Sequence, residues 1–342
     1  MKRQLLGVAA FMLALSAHAQ DNPLWMRYCA ISPDGTSIAF TYKGDIYTVP
    51  VNGGKAAQIT TNAAHDTHPV WSPDGKQIAF ASDRMGSMDI FVVDREGGIP
   101  KRLTTHSGNE TPVAFKDADH ILFLANVMPS AEDAQFPSGQ FQQVYEVSTT
   151  GDRPVMFSSM PMEDISINKT GNALLYHDKK GYEDPWRKHH TSSITRDIWL
   201  CSLDGKRSYR KLTSFNGEDR TPVWASDGKS FYYLSEEKGS FNVFKRALDG
   251  TSSTQLTHHT KHPVRFLTAA DNGTLCYGYD GEIYTMKEGT EPRKVQISIL
   301  TDKNDKDLIR QIRRNGATEI ALSPDAKEVA FILRGDVYVT SV

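Results

Sequence analysis

The sequence predicts an all-β chain: a six-bladed β-propeller of four-stranded antiparallel blades, followed by the start of a second propeller. Three observations carry this. One hairpin line recurs, as ISPDGTSIAF (31–40), WSPDGKQIAF (71–80), WASDGKSFYY (224–233) and LSPDAKEVAF (322–331). Seven copies start near residues 31, 71, 114, 167, 224, 268 and 322, in steps of 40 to 57 residues, and a period near 40 with four strands per unit marks a propeller. The composition agrees: 25 glycines, 16 prolines and 10% aromatic residues in 342 suit many short strands joined by turns.

The elements follow from the cleanest copy, the second. Ser-Pro-Asp-Gly suits a type I turn, with proline presetting the second position and aspartate tolerating the third. HPVW is then strand one, KQIAFAS strand two and MDIFVVD strand three. After the turn REGG, IPKRLT is strand four. Strand three recurs as GDIYTV (44–49), RDIWLC (196–201), FNVFKR (241–246), GEIYTM (281–286) and GDVYVT (335–340). Strand four ends in Ile59-Thr60, Leu103-Thr104, Leu212-Thr213 and Leu256-Thr257. The copies FKDADHILFL and AADNGTLCYG are degenerate and count as blades through their spacing and flanking strands. One blade exposes two apolar faces, and stacking blades in a ring buries both.

Six copies carry four strands, which assigns residues 20–297 to the ring. Residues 298–318 read as a charged linker, and 319–342 as the first strands of a second, truncated propeller, so the chain is expected to be a piece of a longer protein. A seven-bladed ring would need an N-terminal strand from QDNPLW, a poor candidate. At the N-terminus, MKRQ, the apolar run LLGVAAFMLAL and Ala17-His18-Ala19 read as a signal peptide over 1–19, with a mature start at Gln20 and export to a bacterial periplasm. No segment is long and apolar enough to span a bilayer. A net charge of −2 argues against a nucleic-acid surface. Three cysteines, Cys29, Cys201 and Cys276, sit in strand-like sequence and read as small buried hydrophobes rather than a disulfide framework.

No nucleophile elbow, HExxH, CxxC or phosphate loop occurs, so no catalytic residue, metal ligand or cofactor is assigned. His65 with His68, His189 with His190, and His258, His259 and His262 lie in loops and read as polar loop residues rather than zinc ligands. The turn aspartates Asp34, Asp74, Asp227 and Asp325 are expected to bond local backbone. Asp45, Asp89, Asp197 and Asp336, opening strand three, are expected to cap backbone or bond between blades. If strand one lines the channel, the four-to-one loops crowd one mouth, which proposes His65, His68, Glu110, Asp219, Arg220 and His262 as mouth residues. Two long insertions, 126–141 and 179–196, open on the same face. In the second, Tyr182 and Trp186 offer apolar area, while Arg187, Lys188 and Arg196, beside His189 and His190, offer donors for a carboxylate such as a peptide C-terminus. The alternative reading of this loop is a cap on its blade or a contact with another domain.

SPDG followed by IAF, then DIY or DIF, GG and LT resembles the propeller repeat of TolB and of tricorn-type proteases. PLWMRYCAISPDGTSIAFTYKGDIYTVPVNGG resembles the first blade of a bacterial tricorn homologue, and ATEIALSPDAKEVAFILRGDVYVTSV the start of that family's second propeller. RKHHTSSITRDIW (187–199) is also tricorn-like. The resemblance implies a non-catalytic propeller that gates or docks peptides ahead of a second propeller, a PDZ domain and a serine-peptidase core. The implied partners are a peptide or protein substrate, those later domains, and further copies through a homo-oligomer of the parent. The alternatives are a free-standing periplasmic TolB-like binding propeller and the propeller of a prolyl-oligopeptidase-like enzyme.

Overall fold

The computed structural model describes residues 23–126, 141–182, 184, 186, 191–300 and 313–342. The recurring line folds into the hairpin that its residues dictate. Gly35 takes φ +72° and its N–H donates to the Ser32 carbonyl (2.8 Å). Asp34 Oδ1 accepts from the Thr36 N–H (3.0 Å) and the Ser32 hydroxyl (2.6 Å), tying the turn to itself. Asp74, Asp227 and Asp325 accept local backbone N–H groups in the same way. The degenerate copies are hairpins too. Lys116 N–H donates to His120 O (2.9 Å), and Ala270 N–H to Thr274 O (2.9 Å).

These hairpins build six four-stranded antiparallel sheets, each from consecutive chain. Blade 1 holds β1 (Arg27–Ile31), β2 (Ser37–Tyr42), β3 (Asp45–Pro50) and β5 (Ala57–Gln58), with β4 (Gly54–Lys55) beside it. Blade 2 holds β6 (Asp66–Trp71), β7 (Gln77–Ser82), β8 (Asp89–Asp94) and β9 (Lys101–Arg102). Blade 3 holds β10 (Glu110–Phe115), β11 (His120–Ala125), β12 (Gln143–Ser148) and β13 (Val155–Ser158). Blade 4 holds β14 (Met162–Ile167), β15 (Ala173–Asp178), β16 (Ile198–Ser202) and β17 (Ser208–Lys211). Blade 5 holds β18 (Asp219–Trp224), β19 (Ser230–Ser235), β20 (Asn242–Ala247) and β21 (Ser253–Gln255). Blade 6 holds β22 (Arg265–Ala269), β23 (Leu275–Tyr279), β24 (Glu282–Met286) and β25 (Arg293–Lys294). No helix occurs among the described residues.

Strand four is shorter than the sequence suggests, two residues in blade 2, because the Leu-Thr pair does other work. The Leu103 N–H donates to Ile90 O (2.8 Å), and the Thr104 hydroxyl accepts the Ile90 N–H (2.9 Å). A side chain thus completes the ladder where the strand bends away. Thr60, Thr213 and Thr257 accept from Ile46, Ile198 and Val243 at the same distance. Three of the four aspartates opening strand three, Asp45, Asp89 and Asp197, pair with strand four of their own blade, a correction to the inter-blade expectation. Asp89 meets Arg102 (2.8 Å) and Asp197 meets Lys211 (2.8 Å), both partners on strand four.

The apolar residues alternate along each strand, so each sheet feeds the two junctions flanking it. Ile78 and Phe80 of β7 pack with Ala30 and Ile46 of blade 1, whereas Ala79 packs with Ile121 and Phe123 of blade 3. Six core clusters result, each shared by two successive blades. The last, Met26, Ile31, Phe40, Ala270 and Ile283 among its members, joins blade 6 to blade 1. β26 (Ile297–Ser298), whose Ile297 belongs to that cluster, pairs in parallel with β4, where Gly54 N–H donates to Gln296 O (2.8 Å). Gly53 is required there: it takes φ +89°, and a Cβ would lie 2.5 Å from Gln296 O. Residues 317–341 form a separate three-stranded sheet, β27 (Ala317–Leu322), β28 (Glu328–Leu333) and β29 (Asp336–Ser341). It leaves Ile320 and Val339 exposed and touches the ring where Arg334 Nη2 donates to Ala63 O (3.0 Å).

Candidate functional site at the axial mouth

The first strands of successive blades approach one another around the ring, so they line its axis. Each carries a register shift, and in five of them the shift holds a non-glycine residue in the left-handed region: Tyr28, His68, Asp164, Thr221 and Phe266, at φ +48° to +57°. Pro112 holds the equivalent place in β10, where its ring forbids positive φ. Bulges of this kind re-aim side chains, and here they turn them onto the axis. The Tyr28 ring lies 3.6 Å from His68 and 4.8 Å from Phe266, centroid to centroid. Opposite, the Thr221 hydroxyl donates to Asp164 Oδ2 (2.6 Å), and the Thr221 N–H donates to His177 Nδ1 (3.2 Å). Burial pushes His68 down to about 4, partly opposed by the Asp164 charge, so the imidazole is neutral at physiological pH. Burial pushes the Tyr28 hydroxyl up, and the Asp164 charge adds to it.

One residue earlier on these strands lies the mouth. There stand Arg27, Thr67, Thr111, Glu163, Arg220 and Arg265. Trp186 reaches this level from the insertion of blade 4. Its indole centroid lies 4.9 Å from Arg27 Cζ and 4.8 Å from Arg265 Cζ, and 6.1 Å from the Phe266 ring. Arg265 Nη2 donates to the Trp186 carbonyl (2.8 Å). Burial, with Arg220 and Arg27 nearby, pushes Arg265 down to about 10, leaving it cationic. An aromatic plate backed by guanidinium groups combines apolar contact area with fixed positive charge.

The structure separates the residues that the sequence grouped. Trp186 joins the mouth. Tyr182 is 87% exposed. Arg187, Lys188, His189 and His190 lie outside the described residues, as do the segments 1–22 and 127–140 and the linker residues 301–312. Arg196 is buried and committed: Nη1 meets Glu218 (2.7 Å) and Nε meets Glu163 (3.3 Å), so it ties blade 4 to blade 5 rather than waiting for a carboxylate. Glu163 is held below the usual carboxylate range despite burial, by the His177 hydrogen bond and by Arg196 and Lys179 beside it.

Of the mouth candidates, His68 lies on the axis and Arg220 beside Arg265. Arg220 also stacks on Phe241 (4.2 Å). His65 donates its backbone N–H to Asp83 (2.7 Å), and His262 pairs with Asp280 (3.2 Å). Glu110 and Asp219 are corrections: both are buried in blade junctions. Glu110 accepts the Thr104 hydroxyl, and Asp219 the Ser235 and Thr213 hydroxyls. Burial first, then the neighbouring carboxylates Asp89 and Asp197, push each up to about 7. Sequence reading missed Arg27, Tyr28, Asp164, Thr221, Arg265 and Phe266. The available signal was their shared place in the repeat, four and five residues ahead of the turn-opening residue. Among the described residues, no group of three or more His, Cys, Asp or Glu side chains is placed to hold a metal ion.

A ring of antiparallel four-stranded blades, closed on itself and with side chains packed across its axis, defines a β-propeller. A family profile for the tricorn protease N-terminal beta propeller domain matches residues 23–292, and the chain belongs to that family. Tricorn protease homolog 1 of Streptomyces coelicolor is 25% identical over 279 residues, covering 81% of this chain and 25% of that protein. The tricorn protease of Thermoplasma acidophilum is 25% identical over 332 residues, covering 93% of this chain and 29% of that one. The crystal structure of the tricorn protease superposes with a TM-score of 0.68 at 20% identity, over 93% of this chain and 30% of that chain, a likeness of fold. The chain therefore spans about a quarter of the length of the curated relatives it matches.

Proposed function

We propose that this chain is the non-catalytic propeller of an exported tricorn-like serine peptidase, and that it docks peptide substrates at the Trp186 mouth. The observation that carries the reading is the indole of Trp186 set against Arg27 and Arg265 at the end of the axis. Family membership, and relatives several times longer that are named as proteases, support a place beside a catalytic core elsewhere in a longer chain. The leader-like segment ending at Ala19 supports export. Side chains meeting across the axis favour docking on the face over threading through the ring.

The test is a fluorescence-anisotropy titration of short, unstructured labelled peptides against the chain and its Trp186→Ala variant. Loss of an aromatic anchor is expected to weaken binding at least about tenfold with an unchanged thermal unfolding curve. Equal affinity for the two proteins would place docking elsewhere.

A further inference from the structure

Two of the three cysteines meet at the one junction that closes the ring. Cys29 lies on β1 and Cys276 on β23, so one belongs to the first blade and the other to the last. They are 2% and 0% exposed and share the core cluster of that junction. The two thiols neighbour each other closely enough to act on one another's charge, and the Cys29 thiol donates to the Phe266 carbonyl on β22 (3.5 Å). The backbone around the pair is firmly placed: Ile31 N–H donates to Thr268 Oγ1 (3.1 Å), and Thr268 stands opposite Cys276 in the ladder. Cys201, on β16 of blade 4, packs in a different junction.

We propose that Cys29 and Cys276 form a disulfide that seals blade 1 to blade 6. The other bonds across this junction, including the two-residue β4–β26 pair, are non-covalent and open reversibly. A covalent bridge between residues 29 and 276 encloses nearly the whole propeller in one loop, the case in which a cross-link restricts the unfolded chain most. Its place, where the first and last blades meet, is where a ring would open first.

The chemistry needs an external disulfide as oxidant, either oxidised glutathione or a thiol–disulfide exchange protein. One cysteine thiolate attacks that disulfide, forming a mixed disulfide and releasing one thiol. The second thiolate attacks the protein sulfur of the mixed species, forming the Cys29–Cys276 bond and releasing the second thiol. Two protein thiols lose two protons and two electrons, and the oxidant's S–S bond becomes two thiols. Burial, with Cys29 beside it, pushes the Cys276 thiol well up, so the closed ring supplies little thiolate. Bridging therefore belongs to folding, before the junction closes. The inference is independent of peptide docking, and it matters in an oxidising compartment such as the one that export would supply.

The experiment refolds the full chain from denaturant in a glutathione redox buffer or in dithiothreitol. Each sample is then denatured in an alkylating agent and digested with trypsin for mass spectrometry. The oxidised sample is expected to link peptide 28–43 to peptide 266–287, with Cys201 in peptide 197–206 alkylated. Its melting temperature should exceed that of the reduced sample by on the order of 5–10 °C, a difference absent from the Cys29→Ser and Cys276→Ser variants. The wild-type comparison stands even if a variant fails to fold. Full alkylation of Cys29 and Cys276 after oxidative refolding, or a link to Cys201 instead, would overturn the proposal.

Discussion

Asp219 offers a quantitative check on how the blade junctions hold together. It opens β18, is 2% exposed, and has Asp197 of the neighbouring blade and Glu237 close by. Its Oδ1 has no hydrogen-bond partner among the described residues. Burial, reinforced by those two charges, pushes its carboxyl up to about 7 from 3.8. A folded-state value above the unfolded one means that folding retains the proton. Stability from this group is therefore intact below about pH 4 and is lost as pH rises toward and through 7. Carrying the carboxyl from 3.8 to about 7 corresponds to about 4 kcal/mol at most. Asp219→Asn keeps the shape and cannot ionise. Urea unfolding from pH 4.5 to 8.5 should then show a shallower decline for the variant, which becomes relatively more stable at alkaline pH by about 2–4 kcal/mol. If the difference between the two proteins is the same at both ends of that range, Asp219 does not titrate as argued and the junction holds it ionised.

Two further outcomes test the ladder and the closure. Thr104→Val strips the acceptor from the buried Ile90 N–H and the donor from Glu110. It should cost about 1–3 kcal/mol in urea unfolding with an unchanged m-value, and a cost under ~0.5 kcal/mol would dismiss the hydroxyl's role. Gly53→Ala drives a methyl onto the Gln296 carbonyl, whereas Gly98→Ala meets a positive φ but open space. The first should speed amide exchange at Gly54 and Ala56 more than the second, which isolates the collision from the backbone cost. Equal rates in the two variants would mean that the outer pair does not hold the ring.

What the amino-acid sequence determined by itself is local. The Ser-Pro-Asp-Gly hairpins, the alternation of Ile78, Ala79 and Phe80, and the Leu-Thr ends are written in adjacent residues, because turn chemistry and a two-residue period act over a few positions. Even there the reading overextended strand four, since the threonine hydroxyl replaces a ladder bond that a strand would have made. What only the tertiary structure decided is which residues meet. Arg27, Trp186 and Arg265 are far apart in the chain and come together because the ring closes and the strand-one bulges invert φ. Arg196, Glu110 and Asp219 looked like loop charges awaiting a ligand, but charge in a sequence carries no measure of burial. Three cysteines without spacing likewise gave no hint that two face each other, for the first and last blades are neighbours only once the chain has gone full circle.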